Sequence, residues 1–371
     1  MRLVNIINNY FSVTDPRFSV SLLTEIATII VLFLILSLRK PRWFKIGYFV
    51  LFVLLLRCLL FGNQFSWGLY YQQLTVDEVG WRQQSVINVE YYKFFKYPGK
   101  KYLAVGSSQT YVMYQDYSKK HNNITVINLA GMTPIDFFLY RKYITARKPE
   151  YVLLYLSEFD LAKEPSLPAA RSDPPQGLDF LRQLPVYWEL SKTAHKEREL
   201  KEMMVMELFP EYKYSFVFKG LVQKLMKKNE ALGIQSLYEK LHPDSEELKK
   251  EIGGTLEQMD GRWIKYQVYF LREFFEYCRD KHFKVVIIEG QYNPLVRNES
   301  TARLNDLTRV EIAKLLKEFN EVGYIPTADT MPLLASDFDD AVHVKKESAL
   351  RYVPTLLNKL EAMYTTGSEK K

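Results

Sequence analysis

Two hydrophobic runs, Tyr151–Leu156 (YVLLYL) and Lys284–Glu289 (KVVIIE), constrain this chain more than any other feature. Each is too short to cross a membrane. Each is also too continuously apolar at its centre for a strand with one wet face, so it belongs in a sheet covered on both sides. Strand character recurs at Lys101–Val105, Ile124–Leu129 and Gly323–Ala328. Helical periodicity occupies Gln109–Lys120, Pro134–Arg147, Gly261–Lys281, Thr301–Glu321 and Lys346–Met363. Strands separated by helix-length crossovers pair in parallel and carry helices on both faces. The expectation is an α/β domain over 101–363 with a five-stranded parallel sheet.

One interval exceeds any single crossover. From Leu161 to Asp260 the chain passes through a proline-rich loop (Glu164–Gln176) and then helix-like stretches at Leu178–Met206, Tyr214–Ala231 and Gln235–Ile252. This reads as a helical insertion, 161–260. Within it Phe216–Lys228 (FVFKGLVQKLMKK) is amphipathic and basic. Such a helix packs its apolar face on its own domain, or lies against a membrane surface or a partner.

The chain opens differently. Phe18–Leu38 is apolar but for Glu25, and Ile46–Gly62 is apolar but for Arg57. Arg39, Lys40, Arg42 and Lys45 lie between them with no acidic residue. A cleaved leader carries its charge before the apolar run, so a retained hairpin of two transmembrane helices, 1–62, fits better. A basic loop stays cytoplasmic, which sends everything after Asn63 to the outer face. The competing reading is a pair of buried core helices. Residues 63–100 are expected to be an aromatic-rich linker. Its Trp67, Tyr70, Tyr71 and Trp81 suit either lipid headgroups or packing on the domain. The tail, 364–371, is expected to be disordered.

Charge narrows the partners. Lys and Arg number 50 against 43 Asp and Glu, a net charge of +7 spread along the chain. That suits an anionic surface or polymer, or simply a solvated exterior. No arginine-rich block or zinc-ligand spacing points to nucleic acid or a metal, and no cofactor is expected. The two cysteines, Cys58 and Cys278, fall in an apolar segment and a helix and are not expected to pair.

Chemistry is expected where the first strand ends. KYLAVGSSQTY runs from strand character through Gly106-Ser107-Ser108 into helix periodicity, presenting a serine at the C-terminal edge of the sheet. Such a serine needs a base, and of five histidines only His343 has a carboxylate at a matching distance, in Asp340-Ala-Val-His343 before the last helix. Three residues on a tight turn let Asp340 reach Nδ1 and leave Nε2 for the serine. Separately, each of these is an ordinary turn or cap.

Together with Gly131 in NLAGM, these motifs resemble the SGNH/GDSL hydrolase family, over about Tyr102–Leu360. The resemblance implies a flavodoxin-like three-layer α/β/α fold. It implies Ser108 as nucleophile, His343 as general base and Asp340 as its orienting partner. The N–H groups of Ser108 and Gly131 would then form the oxyanion hole. One block departs from the family. After the third strand stands Leu156-Ser157-Glu158-Phe159-Asp160, without the asparagine expected there. Asn293, in EGQYNP, is the substitute donor the sequence offers.

With its membrane anchor, outward-facing domain and Gly106-Ser107-Ser108 block, the chain further resembles D-alanyl transfer proteins and polysaccharide O-acetylation proteins, which implies a bacterial cytoplasmic membrane. That implies an acyltransferase or esterase acting on an envelope glycan or polyol, anionic polymers included, beside a membrane-bound O-acyltransferase. Two other functions stay open: a non-catalytic scaffold that binds a glycan or a membrane enzyme, and a helical insertion that docks a partner.

Overall fold

The computed structural model describes residues 41–92, 99–129, 131–165, 167, 176, 178–208, 210–226 and 259–368. The first apolar segment, the Gln235–Ile252 stretch and residues 369–371 lie outside the described residues, whereas 364–368, expected to belong to a disordered tail, continue the last helix as far as Ser368. The described chain forms two compact units, one from 41–92 and 204–226, the other from 99–203 and 259–368.

The second unit carries the sheet. Strands β1 (Tyr102–Gly106), β2 (Ile124–Asn128), β3 (Tyr151–Leu156), β4 (Lys284–Glu289) and β5 (Gly323–Ile325) lie in the order β2-β1-β3-β4-β5. All four pairings are parallel. This is the flavodoxin-like doubly wound order, in which crossovers leave the first strand in opposite directions and open a crevice at the carboxyl ends. Helices labelled in advance of the sheet are α1 (Pro41–Phe61), α2 (Gln64–Gln73), α3 (Val76–Val79) and α4 (Trp81–Tyr92). Those around the sheet are α5 (Ser108–Lys120), α6 (Pro134–Ala146) and the short α7 (Glu158–Ala162). Then follow α8 (Leu178–Thr193), α9 (Glu197–Leu208), α10 (Pro210–Lys213), α11 (Ser215–Met226), α12 (Ile264–Asp280), α13 (Glu299–Glu318) and α14 (Lys346–Ser368).

Alternation along the strands builds two apolar layers. Tyr102, Ala104, Leu153, Tyr155, Val286 and Ile288 share one core with Met113 and Tyr114 of α5 and Tyr352, Val353 and Leu356 of α14. Leu103, Val105, Val152, Leu154, Val285 and Ile287 alternate with them and are buried as well. On that side α6 and α12 pack together, with Phe137 against Phe274 at 5.9 Å and Phe138 against Phe270 at 5.7 Å. Both faces are covered, as the apolar runs demanded.

The long helix expected over Leu178–Met206 is two. His195 adopts a left-handed φ of 54° between α8 and α9, and Lys196 N–H reaches back to Ser191 C=O at 2.7 Å. That reach-back is a helix-ending turn usually built on glycine.

In the first unit, the segment expected to be a linker has a core of its own. Trp67, Tyr70, Leu74, Val86 and Ile87 are buried with Phe61, Tyr214 and Val217. The Trp67 indole N–H donates to Phe61 C=O at 2.8 Å, and Tyr214 O–H to Glu90 at 3.1 Å. Trp67 and Tyr70 are thus packing residues, and the buried indole N–H has the partner that burial demands. α1 differs: Phe49, Phe52 and Leu59 are 67%, 63% and 65% exposed. Among the described residues no single helix is long and apolar enough to cross a membrane. Gly47–Phe61 and Gln64–Gln73, bent by 51°, satisfy length and composition only together.

Candidate active site

Ser108 is placed by the way β1 gives straight into α5. Ser107, in extended conformation, stands at the N-cap position without a side-chain capping bond, and Ser108 is the first residue of the helix. The handover needs glycine at 106, where an added Cβ would stand 2.0 Å from Thr110 Oγ1. As a first-turn residue Ser108 has no carbonyl behind it to receive its N–H.

His343 arrives from a tight loop ahead of α14. Phe338 and Val344 form an antiparallel bridge, and Asp339 N–H donates to His343 C=O at 2.9 Å. Asp340 Oδ1 accepts the N–H groups of Val342 (2.8 Å) and His343 (2.7 Å). Its Oδ2 meets His343 Nδ1 at 2.6 Å, and His343 Nε2 stands 2.8 Å from Ser108 Oγ. A carboxylate only accepts, so Nδ1 carries the proton and Nε2 accepts from the Ser108 hydroxyl. Burial alone would raise the Asp340 carboxyl. The hydrogen bond and charge of His343, with the two backbone N–H groups, outweigh it and hold the carboxyl below its usual range. The imidazole and the carboxylate are only 17% and 14% exposed.

Beside Ser108 lies a cavity of about 190 Å³ whose wall includes Gly131, Thr133, Asp160, Lys163 and Val342. Gly131 follows β2 with a φ of 63°, a left-handed conformation that glycine adopts without cost. Neither the N–H of Ser108 nor that of Gly131 donates to any of the described residues.

Four of the expected residues, Ser108, His343, Asp340 and Gly131, therefore meet at one edge of the sheet. Asn293 does not join them. Its Oδ1 accepts from Leu295 N–H at 3.0 Å, capping the turn that begins at Pro294, and its Nδ2 donates to Asp340 C=O at 3.1 Å. With both ends so engaged, and outside the cavity wall, it braces the acid loop. Asparagine at the cap followed by proline at the first position is a common way to start such a turn.

Two charged wall residues, Asp160 and Lys163, were not singled out as functional in the sequence. Asp160 Oδ2 accepts the N–H (2.9 Å) and hydroxyl (3.0 Å) of Ser157, capping α7. Burial pushes its carboxyl up to about 6, against those hydrogen bonds and the nearby Lys163. Lys163 follows at the end of the same helix. The available signal was position alone: Asp160 lies within, and Lys163 at the C-cap of, the short helix that follows a buried strand, at the edge where sites form.

No protein-family model matches this chain, and no curated protein matches it. Among solved structures it is similar to a GDSL-like lipase from Bacteroides thetaiotaomicron. That likeness has 11% identity and a TM-score of 0.34, over 84% of this chain and 98% of the other. It is also similar to a candidate platelet activating factor from Streptococcus pneumonia, with 10% identity and a TM-score of 0.38, over 80% and 99%. Likenesses this distant say nothing of the chemistry here.

Proposed function

We propose that this chain is a membrane-anchored serine acyltransferase or esterase of the SGNH type. Its substrate is a hydroxyl-bearing glycan or polyol polymer of a bacterial envelope, met on the outer face of the cytoplasmic membrane. The observation that carries the reading is the continuous contact from Asp340 through His343 to Ser108, at 2.6 and 2.8 Å.

In the first half-reaction Ser108 Oγ bonds to the carbonyl carbon of an acyl donor while His343 Nε2 takes the hydroxyl proton. The carbonyl π pair moves onto oxygen, and the Ser108 and Gly131 N–H groups are the donors for it. When the C=O re-forms, the bond to the leaving alcohol breaks and that oxygen takes the proton from His343. An acceptor hydroxyl, or water in the esterase case, then repeats the sequence on the acyl-serine. Asp340 keeps the imidazole in the useful tautomer and balances its charge when protonated.

Support for the anchor comes from α1, whose apolar side chains stand exposed, and from the basic segment at its start. A membrane-bound O-acyltransferase is the partner that would bring acyl groups to such a site.

Purified full-length protein is expected to react with a fluorophosphonate probe and to hydrolyse p-nitrophenyl acetate. Ser108→Ala is expected to abolish both. Undiminished labelling of that variant, or an unreactive wild type, overturns the reading. An unreactive wild type whose Ser108→Ala form still complements a deletion strain points to the scaffold function instead.

A further inference from the structure

Among the described residues of the cavity wall stands a cation, Lys163. Lys163 closes α7, just beyond the end of β3, and its backbone is fixed from two directions. Its neighbour Ala162 accepts Asp260 N–H at 2.9 Å, and Lys163 itself pairs with Met259 in an antiparallel bridge. Gln267 Nε2 also donates to the Lys163 C=O at 3.0 Å. The side chain projects from this anchor towards Gly131, where a Cβ would stand 3.5 Å from Lys163 Nζ. Ser108, Gly131 and Lys163 thus share one wall of one cavity.

When the carbonyl is attacked, its oxygen acquires a full negative charge that a neutral substrate never carries. A fixed positive charge beside that point lowers the barrier selectively, and more so in a recess than in open water. Two backbone N–H groups face this task, and no asparagine stands after β3 to assist them. We propose that the Lys163 ammonium is the third, charged donor to the oxyanion formed at Ser108. This rests on Ser108 being the nucleophile. In the step, the oxygen gains the electron pair of the C=O π bond and Lys163 stabilises it without giving up a proton. The pair returns when the leaving alcohol departs.

The alternative use of such a lysine is to bind an anionic acceptor, and the two differ in their kinetics. With the neutral ester p-nitrophenyl acetate, Lys163→Met is expected to lower kcat by on the order of 100-fold with KM changed less than about threefold. Lys163→Arg, which keeps the charge, is expected to recover most of the rate. Thermal melts of each variant separate lost chemistry from lost fold. Lys163→Gln serves in place of methionine if the latter unfolds, with the same loss expected. A kcat within about threefold of wild type in a folded, neutral variant overturns the role of Lys163 while leaving Ser108 in place. A change confined to KM for an anionic ester likewise overturns it. A wild type that neither hydrolyses ester nor labels overturns both readings.

Discussion

Two aspartates near Ser108 answer pH in opposite senses. Asp340 is held below its ordinary range, so its contribution to stability is present above the unfolded-state value of 3.8 and is lost as pH falls through the folded one. Asp160 is pushed up from 3.8 to about 6, so its contribution is present below the unfolded value and is lost as pH rises through about 6. Replacing Asp160 by Asn keeps an oxygen to accept from Ser157 and removes the ionisation. Urea unfolding at pH 8 is expected to show Asp160→Asn more stable than wild type by on the order of 2–3 kcal/mol, the gap closing towards pH 4. Equal stability at both pH values would show that Asp160 ionises as freely as in the unfolded chain. For Asp340→Asn the expected outcome is kinetic: kcat for p-nitrophenyl acetate lower by roughly 10³- to 10⁴-fold, because an amide no longer enforces the Nδ1–H tautomer. A loss under about tenfold would remove Asp340 from the mechanism.

At the scale of elements, the site depends on how abruptly strand becomes helix. The Cβ of Gly106→Ala would fall 2.0 Å from Thr110 Oγ1 and 3.0 Å from Thr110 Cβ, inside the first turn of α5. The expected cost is about 1–3 kcal/mol in chemical denaturation, with a loss of esterase rate as Ser108 is displaced from His343. Adding Thr110→Ala removes the clashing hydroxyl and is expected to restore much of both. Failure of the double variant to improve on Gly106→Ala would place the constraint elsewhere. The acid loop has its own brace: Asn293 grips it by side chain and by backbone, its N–H donating to Ala341 C=O at 3.0 Å. Helix ends show where local reading stops. His195 ends α8 in a conformation that sequence marks poorly, since neither glycine nor proline stands there. The strands and most helices around the sheet were legible because burial imposes periods that survive in the residues themselves.

At the scale of the whole molecule, the proposed anchor rests on the exposed apolar side chains of α1. The full chain is expected to stay with membranes after an alkaline carbonate wash. Replacing Phe49, Phe52 and Leu59 together by Lys is expected to weaken that retention. Complete release of the wild type would count against an anchor.

By itself, the sequence determined the class of the sheet and the order of its strands and helices. Continuous apolar runs at crossover spacing leave a chain few other ways to hide them. It also singled out a serine, an aspartate and a histidine whose local spacings suit a triad. Only the tertiary structure decided that Ser108 and His343 stand 2.8 Å apart, since they are 235 residues apart in the chain. It also sent Asn293 to brace a loop and set Lys163 on the cavity wall. No local pattern encodes either, because a side chain's reach depends on what the rest of the chain packs around it.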